Sequence, residues 1–220
     1  MDAKPRTLFL LLLSLAVATP PLAAKPERWA NEIAQLTAND PTTPPPGNAV
    51  LFVGSSSIRL WSTLATDFPG IATINRGFGG SELADSVFYF DRIVTPYHPR
   101  IVVLFAGTND LAGGKQPETV FKDFEAFHAK LRAALPRTRL IYIAITLAPS
   151  RARIHDAMRA TNQLIAAACA QDPLCTFVDI NQPMFGDGPP RPEFFREDQL
   201  HLNAAGYAIW TKVLAPHLSP

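Results

Sequence analysis

A serine near the start of the chain and a histidine near its end each lie in a local sequence that suits nucleophilic catalysis. Ser56 is the middle of three consecutive serines, which follow the apolar segment 49–53 and a glycine. His201 comes three residues after Asp198, and a carboxylate at that spacing can fix the tautomer of an imidazole. A serine hydroxyl becomes a good nucleophile when a base takes its proton. If the fold joins Ser56 to His201, the chemistry is that of a hydrolase.

Two further loops could supply the hydrogen-bond donors that such a reaction needs. Segment 75–81 reads Asn-Arg-Gly-Phe-Gly-Gly-Ser, and its glycines let backbone N–H groups approach a ligand closely. A dinucleotide-binding fingerprint would need one more glycine where the chain has Glu82, and an ordinary tight turn is the other interpretation. Segment 107–110 reads Gly-Thr-Asn-Asp. Asn109 could offer its side-chain amide as a donor or could simply be a turn residue.

Apolar runs predict the strands that must hold these loops. We expect strands at 49–54, 71–75, 101–106, 139–146 and 176–180. Most of these runs lack polar alternation, which is typical of parallel strands buried on both faces. Apolar stripes at helical spacing fall between them, and Asn203 can cap a last helix. The alternation predicts a single three-layer α/β/α sandwich whose ligands bind beyond the carboxyl ends of the strands.

The first residues have the order of a secretory signal peptide. Lys4 and Arg6 precede an apolar stretch over 8–18, and small residues follow it. An apolar stretch of eleven residues is too short for a stable membrane anchor. We therefore expect residues 1–24 to be removed, and the mature protein to be soluble and exported to the periplasm or the medium.

After the signal peptide, residues 25–48 predict a short amphipathic helix over 27–38 and a proline-rich lead-in to the main domain, 49–218. Without the signal peptide the chain keeps 18 basic and 18 acidic residues. This balance does not favour nucleic acid or an anionic membrane as a partner. The two cysteines, Cys169 and Cys175, could pair in an oxidising compartment or could be two buried thiols.

Taken together and in this order, the motifs resemble the SGNH hydrolases, also called GDSL-type esterases and lipases. The Gly-Asp-Ser block of that family matches 54–56, and its glycine block matches 75–81. Its Gly-x-Asn-Asp and Asp-x-x-His blocks match 107–110 and 198–201, and the resemblance spans 49–214. Ser55 stands where the family has aspartate. The serine cluster leaves Ser55 and Ser57 as alternative nucleophiles, and the block alignment favours Ser56.

The resemblance implies a flavodoxin-like SGNH hydrolase fold and an esterase that works without a cofactor or a metal. Ser56 would be the nucleophile and His201 the base, with Asp198 on the other ring nitrogen of the histidine. The implied oxyanion donors are the backbone N–H groups of Ser56 and Gly80 and the side-chain amide of Asn109. We expect the pocket to be rimmed by Arg59, Trp61, Arg76, Phe78 and the segment 189–195, which includes Phe194; ordinary packing is the alternative for these residues.

Other functions stay open at this stage. A metallohydrolase could use His201 and Asp198 as ligands, although zinc catalysis normally needs three protein ligands and no third candidate lies at motif spacing. A carbohydrate-binding or scaffold protein could keep the fold without catalysis. For an esterase, the absence of an obvious lid insertion favours small soluble esters with a short acyl group, acetyl first. A lysophospholipase or a thioesterase is the alternative, and the sequence does not determine the oligomeric state.

Overall fold

A sheet of five parallel strands lies at the centre of the protein, whose computed structural model describes residues 26–40 and 47–219. The strands are β1 (Val50–Gly54), β2 (Thr73–Gly77), β3 (Ile101–Phe105), β4 (Arg139–Ile143) and β5 (Cys175–Val178). Their order across the sheet is β2-β1-β3-β4-β5, and every neighbouring pair is parallel. The five-stranded parallel sheet predicted from the apolar runs is confirmed.

Every strand differs from its predicted bounds by at least one residue, and pairing explains the differences in β2 and β4. The edge strand β2 starts at Thr73 rather than at residue 71 and runs to Gly77, because its partner β1 is paired with it from Val50 to Gly54. Strand β4 ends at Ile143 rather than at residue 146, where its pairing with β5 stops. Residues 144–146 are still buried, so hydropathy alone could not separate them from the strand.

Helices precede, connect and follow the strands. They are α1 (Ala30–Thr37), α2 (Ser56–Arg59), α3 (Leu64–Asp67), α4 (Leu83–Phe88), α5 (Phe90–Ile93), α6 (Thr108–Ala112), α7 (Pro117–Ala134), α8 (His155–Cys169), α9 (Asn181–Phe185) and α10 (Ala204–Leu218). Short 3₁₀ helices occupy Pro26–Trp29, Thr95–Tyr97, Pro149–Ile154 and Pro192–Phe194. The helix predicted over 27–38 is therefore a 3₁₀ turn followed by α1. Asn203 caps α10 as predicted, because its side chain accepts the Gly206 N–H.

Side-chain contacts place α7 and α10 on opposite faces of the sheet. Leu104 of β3 is in register with Tyr142 of β4, so these two side chains share a face and Phe105 points to the other. Phe124 of α7 packs edge-on against Tyr142, with ring centroids 5.4 Å apart. Trp210 of α10 packs against Phe105 at 4.9 Å. Helices thus cover both faces, which confirms the three-layer architecture.

The chain reverses its direction across the sheet at β1. It passes from β1 to β2 on one side and then returns to place β3 on the other side. Loops at the carboxyl ends of strands on either side of such a switch point diverge and leave a crevice for ligands. The serine loop after β1 and segment 107–110 after β3 both border this crevice.

The two cysteines are joined, and the disulfide links the end of α8 to the start of β5. The structure therefore has the paired form of the two possibilities for Cys169 and Cys175. The predicted signal peptide and part of the proline-rich lead-in, residues 41–46, lie outside the described residues. In the part of the chain that is described, no helix combines the length and apolarity needed to cross a membrane.

Candidate active site

Three side chains from the two ends of the chain form a hydrogen-bonded line at the carboxyl end of β1. Oγ of Ser56 lies 2.9 Å from Nε2 of His201. Nδ1 of the same ring lies 2.6 Å from Oδ2 of Asp198. The structure thus brings together the three residues that the sequence predicts as nucleophile, base and carboxylate partner.

The turn after β1 explains why Ser56, rather than a neighbouring serine, faces the histidine. Gly54 ends the strand with φ +141°, and a Cβ on it would lie 1.9 Å from the carbonyl oxygen of Phe105, so only glycine fits. The turn leaves Ser55 and Ser57 buried. Ser56 is the first residue of α2 and is only partly buried, so its hydroxyl is accessible from the crevice.

Asp198 sets the tautomer of His201. Its Oδ1 accepts the backbone N–H groups of Leu200 and His201, both at 2.9 Å, and its Oδ2 bonds to the ring. Partial burial would raise the pKa of Asp198, but the hydrogen bonds from the His201 ring and from the two N–H groups outweigh it and lower the pKa to about 2. An ionised carboxylate can only accept, so Nδ1 of His201 must donate. In the neutral ring, Nε2 is then left as the acceptor for the Ser56 hydroxyl.

Backbone hydrogen bonds between residues 194–196 and 201–203 hold the loop that carries His201. Phe195 and Leu202 form an antiparallel bridge. The Arg196 N–H donates to the carbonyl of His201 at 2.7 Å, and the Asn203 N–H donates to the carbonyl of Phe194 at 3.0 Å. The main chain at Phe194 therefore supports the loop that carries His201. The side chain of Phe194 is half-buried and lies under the guanidinium of Arg191.

The three hydrogen-bond donors predicted for an oxyanion hole follow the carboxyl ends of β1, β2 and β3. The Nδ2 amide of Asn109 donates one hydrogen to the carbonyl of Ser81 at 2.9 Å, which orients the amide and leaves its second hydrogen available. Within residues 26–40 and 47–219, no protein group accepts a hydrogen bond from the backbone N–H of Ser56 or of Gly80. All three donors can therefore bind a ligand without breaking an existing bond.

Asp110, next to Asn109, ties the loop after β3 to the start of α4. Its buried carboxylate accepts the Leu83 N–H with both oxygens, at 3.2 and 3.1 Å, and Nζ of Lys115 lies 2.9 Å from Oδ1. Burial raises the pKa of Asp110 to about 6, against the lowering effect of Lys115 and of the Leu83 N–H. The sequence motif contained Asp110, but its role as an anchor became visible only with the fold.

A small cavity lies beside Ser56. Its volume is about 20 Å³, which is room for about one water molecule or one methyl group. Its walls include Phe105, Thr108, Thr146, Ala148, Leu200 and Leu202. The hydroxyl of Thr146 is buried there without a partner among the described residues. Sequence reasoning missed these wall residues, although the carboxyl end of β4 and the neighbours of His201 were signals that could have found Thr146, Leu200 and Leu202.

The prediction that Trp61, Phe78 and Arg76 rim the pocket is wrong. Trp61 and Phe78 are 1% and 0% exposed because they pack into aromatic clusters of the core. Arg76 is buried beside Asp40, with Nη2 of the arginine 2.6 Å from Oδ1 of the aspartate. Arg59 is half-exposed and lies against Gly77 and Gly79 of segment 75–81, the glycine loop, rather than in the cavity.

The parallel sheet and the Ser-His-Asp line at its switch point have the arrangement of a serine hydrolase with an α/β fold. Residues 47–209 match the model of the GDSL-like Lipase/Acylhydrolase family. The chain belongs to this family, which the sequence motifs had indicated.

Known proteins similar to the chain include an enzyme subunit and two solved structures. Platelet-activating factor acetylhydrolase IB subunit alpha1 of Bos taurus is 23% identical over 188 residues, which cover 82% of this chain and 78% of that protein. A GDSL-like lipase of Bacteroides thetaiotaomicron is 25% identical with a TM-score of 0.69, covering 88% of this chain and 97% of the other. A variant of an acetyl-xylooligosaccharide esterase from Geobacillus Stearmophilus is 14% identical with a TM-score of 0.62, covering 79% and 95%, and supports the fold alone.

Proposed function

We propose that the protein hydrolyses small esters of short acyl groups, acetyl first, through an acyl-enzyme intermediate on Ser56. The observation that carries this proposal is the line from Ser56 through His201 to Asp198, next to a cavity of methyl size. The line supplies an activated nucleophile, and the cavity supplies a place for a short acyl chain.

In the first half of the reaction, Oγ of Ser56 attacks the carbonyl carbon of the ester while Nε2 of His201 takes the hydroxyl proton. Asp198 stabilises the imidazolium that forms. The carbonyl π electrons move to oxygen, and the oxyanion binds the N–H groups of Ser56 and Gly80 and the amide of Asn109. His201 then returns the proton to the leaving oxygen, the bond from carbon to that oxygen breaks, and the alcohol departs.

In the second half, a water molecule replaces the alcohol. His201 takes a proton from the water, and the resulting hydroxide equivalent attacks the acyl carbon held on Ser56. The same three donors stabilise the second oxyanion. When it collapses, the bond from carbon to Oγ breaks, Ser56 recovers its proton from His201, and the carboxylic acid is released.

Two independent observations support an acetyl group over a long chain. The cavity beside Ser56 has room for about one methyl group, and the apolar side chains of Phe105, Leu200 and Leu202 line it. A similar protein, 23% identical to this chain, is a subunit of an acetylhydrolase. An acetylated carbohydrate is one substrate of this class.

We also propose that the enzyme acts outside the cytoplasm. Residues 1–24 have the composition of a signal peptide, and the disulfide between Cys169 and Cys175 is of the kind that persists in oxidising compartments. Fractionation of cells expressing the full chain should recover the shortened protein from the periplasm or the medium. Recovery of the uncut chain from the cytoplasm would contradict export.

A series of p-nitrophenyl esters from acetate to decanoate tests the activity, with the Ser56→Ala variant as the control. We expect the highest kcat/KM for acetate and loss of activity in the variant. A preference for decanoate would favour a lysophospholipase, and no hydrolysis by folded protein would favour a binding protein.

No group of three or more metal-ligating side chains occurs in the described ranges. Activity that is lost with a chelator and survives an organophosphate would nevertheless establish a metallohydrolase.

A further inference from the structure

The N-terminal segment Pro26–Thr37 packs against the loop that carries Gly80, although it lies outside residues 47–209, the part that matches the family. Ile33 of this segment is fully buried in the core. The hydroxyl of Tyr89 donates to the carbonyl of Pro26 at 2.8 Å. The segment is therefore docked on the catalytic domain at both of these points.

Glu32 contacts the glycine loop directly. Its Oε1 accepts the backbone N–H of Gly79 at 3.2 Å. The same oxygen lies 3.9 Å from Nε of Arg59, which belongs to the helix that begins with Ser56. A Cβ on Gly79 would lie 2.6 Å from that Nε, so the guanidinium packs directly on the glycine. Gly79 is held between Glu32 and Arg59.

Trp29 lies beside Gly80 on the same side. The nearest indole carbon is 3.4 Å from the position of a Cβ on Gly80. The indole is fixed in turn, since its Nε1 donates to Oδ2 of Asp85 at 3.1 Å and its ring packs edge-on against Phe78. The indole thus limits the space into which Gly80 could move.

A Gly-Gly pair cannot fix its own backbone, because it has no side chains to restrict its torsions. Stabilisation of an oxyanion nevertheless requires donors that are already oriented before the reaction. The contacts from Glu32 and Trp29 supply that restriction. We propose that Glu32 and Trp29 of the N-terminal segment hold the oxyanion loop in place, and that Glu32 is a positioning residue, which orients the Gly80 N–H by binding the Gly79 N–H. This inference rests on the proposed esterase function, since it concerns the same oxyanion hole.

The hydrogen bond and the ion pair of Glu32 can be separated by substitution. Glu32→Gln keeps an oxygen that can accept the Gly79 N–H and removes the charge that faces Arg59. Glu32→Ala and Glu32→Met remove the acceptor, and methionine keeps the length of the side chain. Glu27→Ala is the matched control, because Glu27 is an exposed carboxylate on the same segment and makes no hydrogen bond or ion pair with the described residues of the glycine loop.

The variants should be compared by kcat and KM for p-nitrophenyl acetate, with melting temperature as the measure of folding. Loss of one oxyanion donor costs about 10²–10³ in rate, and a misoriented donor should cost a part of that, about tenfold in kcat. We expect this loss in Glu32→Ala and Glu32→Met with little change in KM, and values within about twofold of the unmodified protein in Glu32→Gln and Glu27→Ala.

Three results would overturn the positioning role: a kcat near the unmodified value in Glu32→Ala or Glu32→Met, a loss in Glu32→Gln as large as in Glu32→Ala, or an equal loss in Glu27→Ala. If Glu32→Ala does not fold, Glu32→Met carries the test. Failure of the esterase proposal is distinguishable, because in that case the unmodified protein itself would not hydrolyse the ester.

Discussion

Oγ of Ser56 lies 2.9 Å from Nε2 of His201, although 145 positions separate the two residues in the chain. The contact depends on the parallel sheet, which puts the end of β1 and the loop before α10 at the same edge. Asp198, three residues before the histidine, completes the line from the other side of the ring. The reactive geometry is therefore a product of the fold.

Replacement of Ser56 by alanine should abolish hydrolysis of p-nitrophenyl acetate. Removal of the nucleophile of a serine hydrolase typically costs more than about 10³-fold in kcat. Ser57→Ala is the matched control, because Ser57 is an adjacent serine that is buried in the same turn, and it should keep at least about a third of the activity. Substantial activity in Ser56→Ala would show that another group attacks the ester.

Asp198→Asn should inactivate the enzyme by imposing the wrong tautomer on His201. The N–H groups of Leu200 and His201 both donate to one oxygen of the side chain, so the amide oxygen of an asparagine would take that place. The amide NH₂ would then face Nδ1 and donate to it, and Nε2 would carry the proton. A ring in that state cannot accept the serine proton. We expect kcat to fall by about 10³–10⁴, and a loss smaller than tenfold would contradict this argument.

Asn109→Ala should lower kcat by about 10²–10³ while the protein still folds. The amide of Asn109 also bonds to the carbonyl of Ser81, so circular dichroism must accompany the kinetics. Asn109→Asp provides a second test, since it keeps the shape and replaces the donor by a negatively charged acceptor. It should lose at least as much activity as the alanine variant. A loss below about threefold in both variants would remove Asn109 from the oxyanion hole.

Much of the fold was predictable from the sequence, because strands buried on both faces read as continuous apolar runs. The prediction for β3 was correct to one residue. The prediction for β2 was displaced, since this edge strand continues beyond Asn75 through Arg76 and Gly77 and its bounds depend on pairing with β1. Residues 144–146 were assigned to a strand because a buried loop and a buried strand have the same hydropathy.

Site residues were predictable from the sequence where a short motif contains the reactive groups. They were not predictable where tertiary packing determines whether a side chain enters the pocket or the core. Ser56, His201 and Asp198 belong to short motifs, and the fold brings them together. Trp61 and Phe78 lie next to those motifs in sequence, but an aromatic side chain near a motif can enter the core as easily as a pocket. Glu32 and Gly79 are 47 positions apart in the chain, and no local sequence pattern predicts their contact.

The cavity wall predicts how the acyl preference can be changed. Leu200 lines the cavity and is only partly buried, so Leu200→Ala should widen it without disrupting the core. We expect the ratio of kcat/KM for butyrate over acetate to rise by at least about tenfold, because a cramped pocket discriminates by about 1–3 kcal/mol per methylene. An unchanged ratio would show that the acyl chain lies elsewhere.

A carboxylate far from the site should make the free energy of unfolding depend on pH. Asp172 accepts hydrogen bonds from His128, Arg132 and the Leu174 N–H. Partial burial would raise the pKa of Asp172, but these bonds lower it to about 2. The carboxylate therefore stabilises the protein above its unfolded-state pKa, about 4, and this contribution is lost as the pH falls from about 4 to about 2.

Asp172→Asn should accordingly lower the free energy of unfolding by about 1–2 kcal/mol at pH 7. The difference from the unmodified protein should shrink as the pH falls from about 4 to about 2. Urea unfolding at a series of pH values measures it. A difference that stays constant down to pH 2 would show that the ionisation of Asp172 does not contribute.

Covalent labelling with diethyl p-nitrophenyl phosphate tests the central claim, that Ser56 is a nucleophile activated by His201, most directly. The reagent transfers its diethylphosphoryl group to an activated serine and releases p-nitrophenol, and mass spectrometry locates the modified residue. The account predicts one phosphoryl group per chain, on Ser56, with loss of activity in proportion to labelling and greatly slowed labelling in His201→Ala. A label on Ser55 or Ser57, or full esterase activity in the labelled protein, would contradict it.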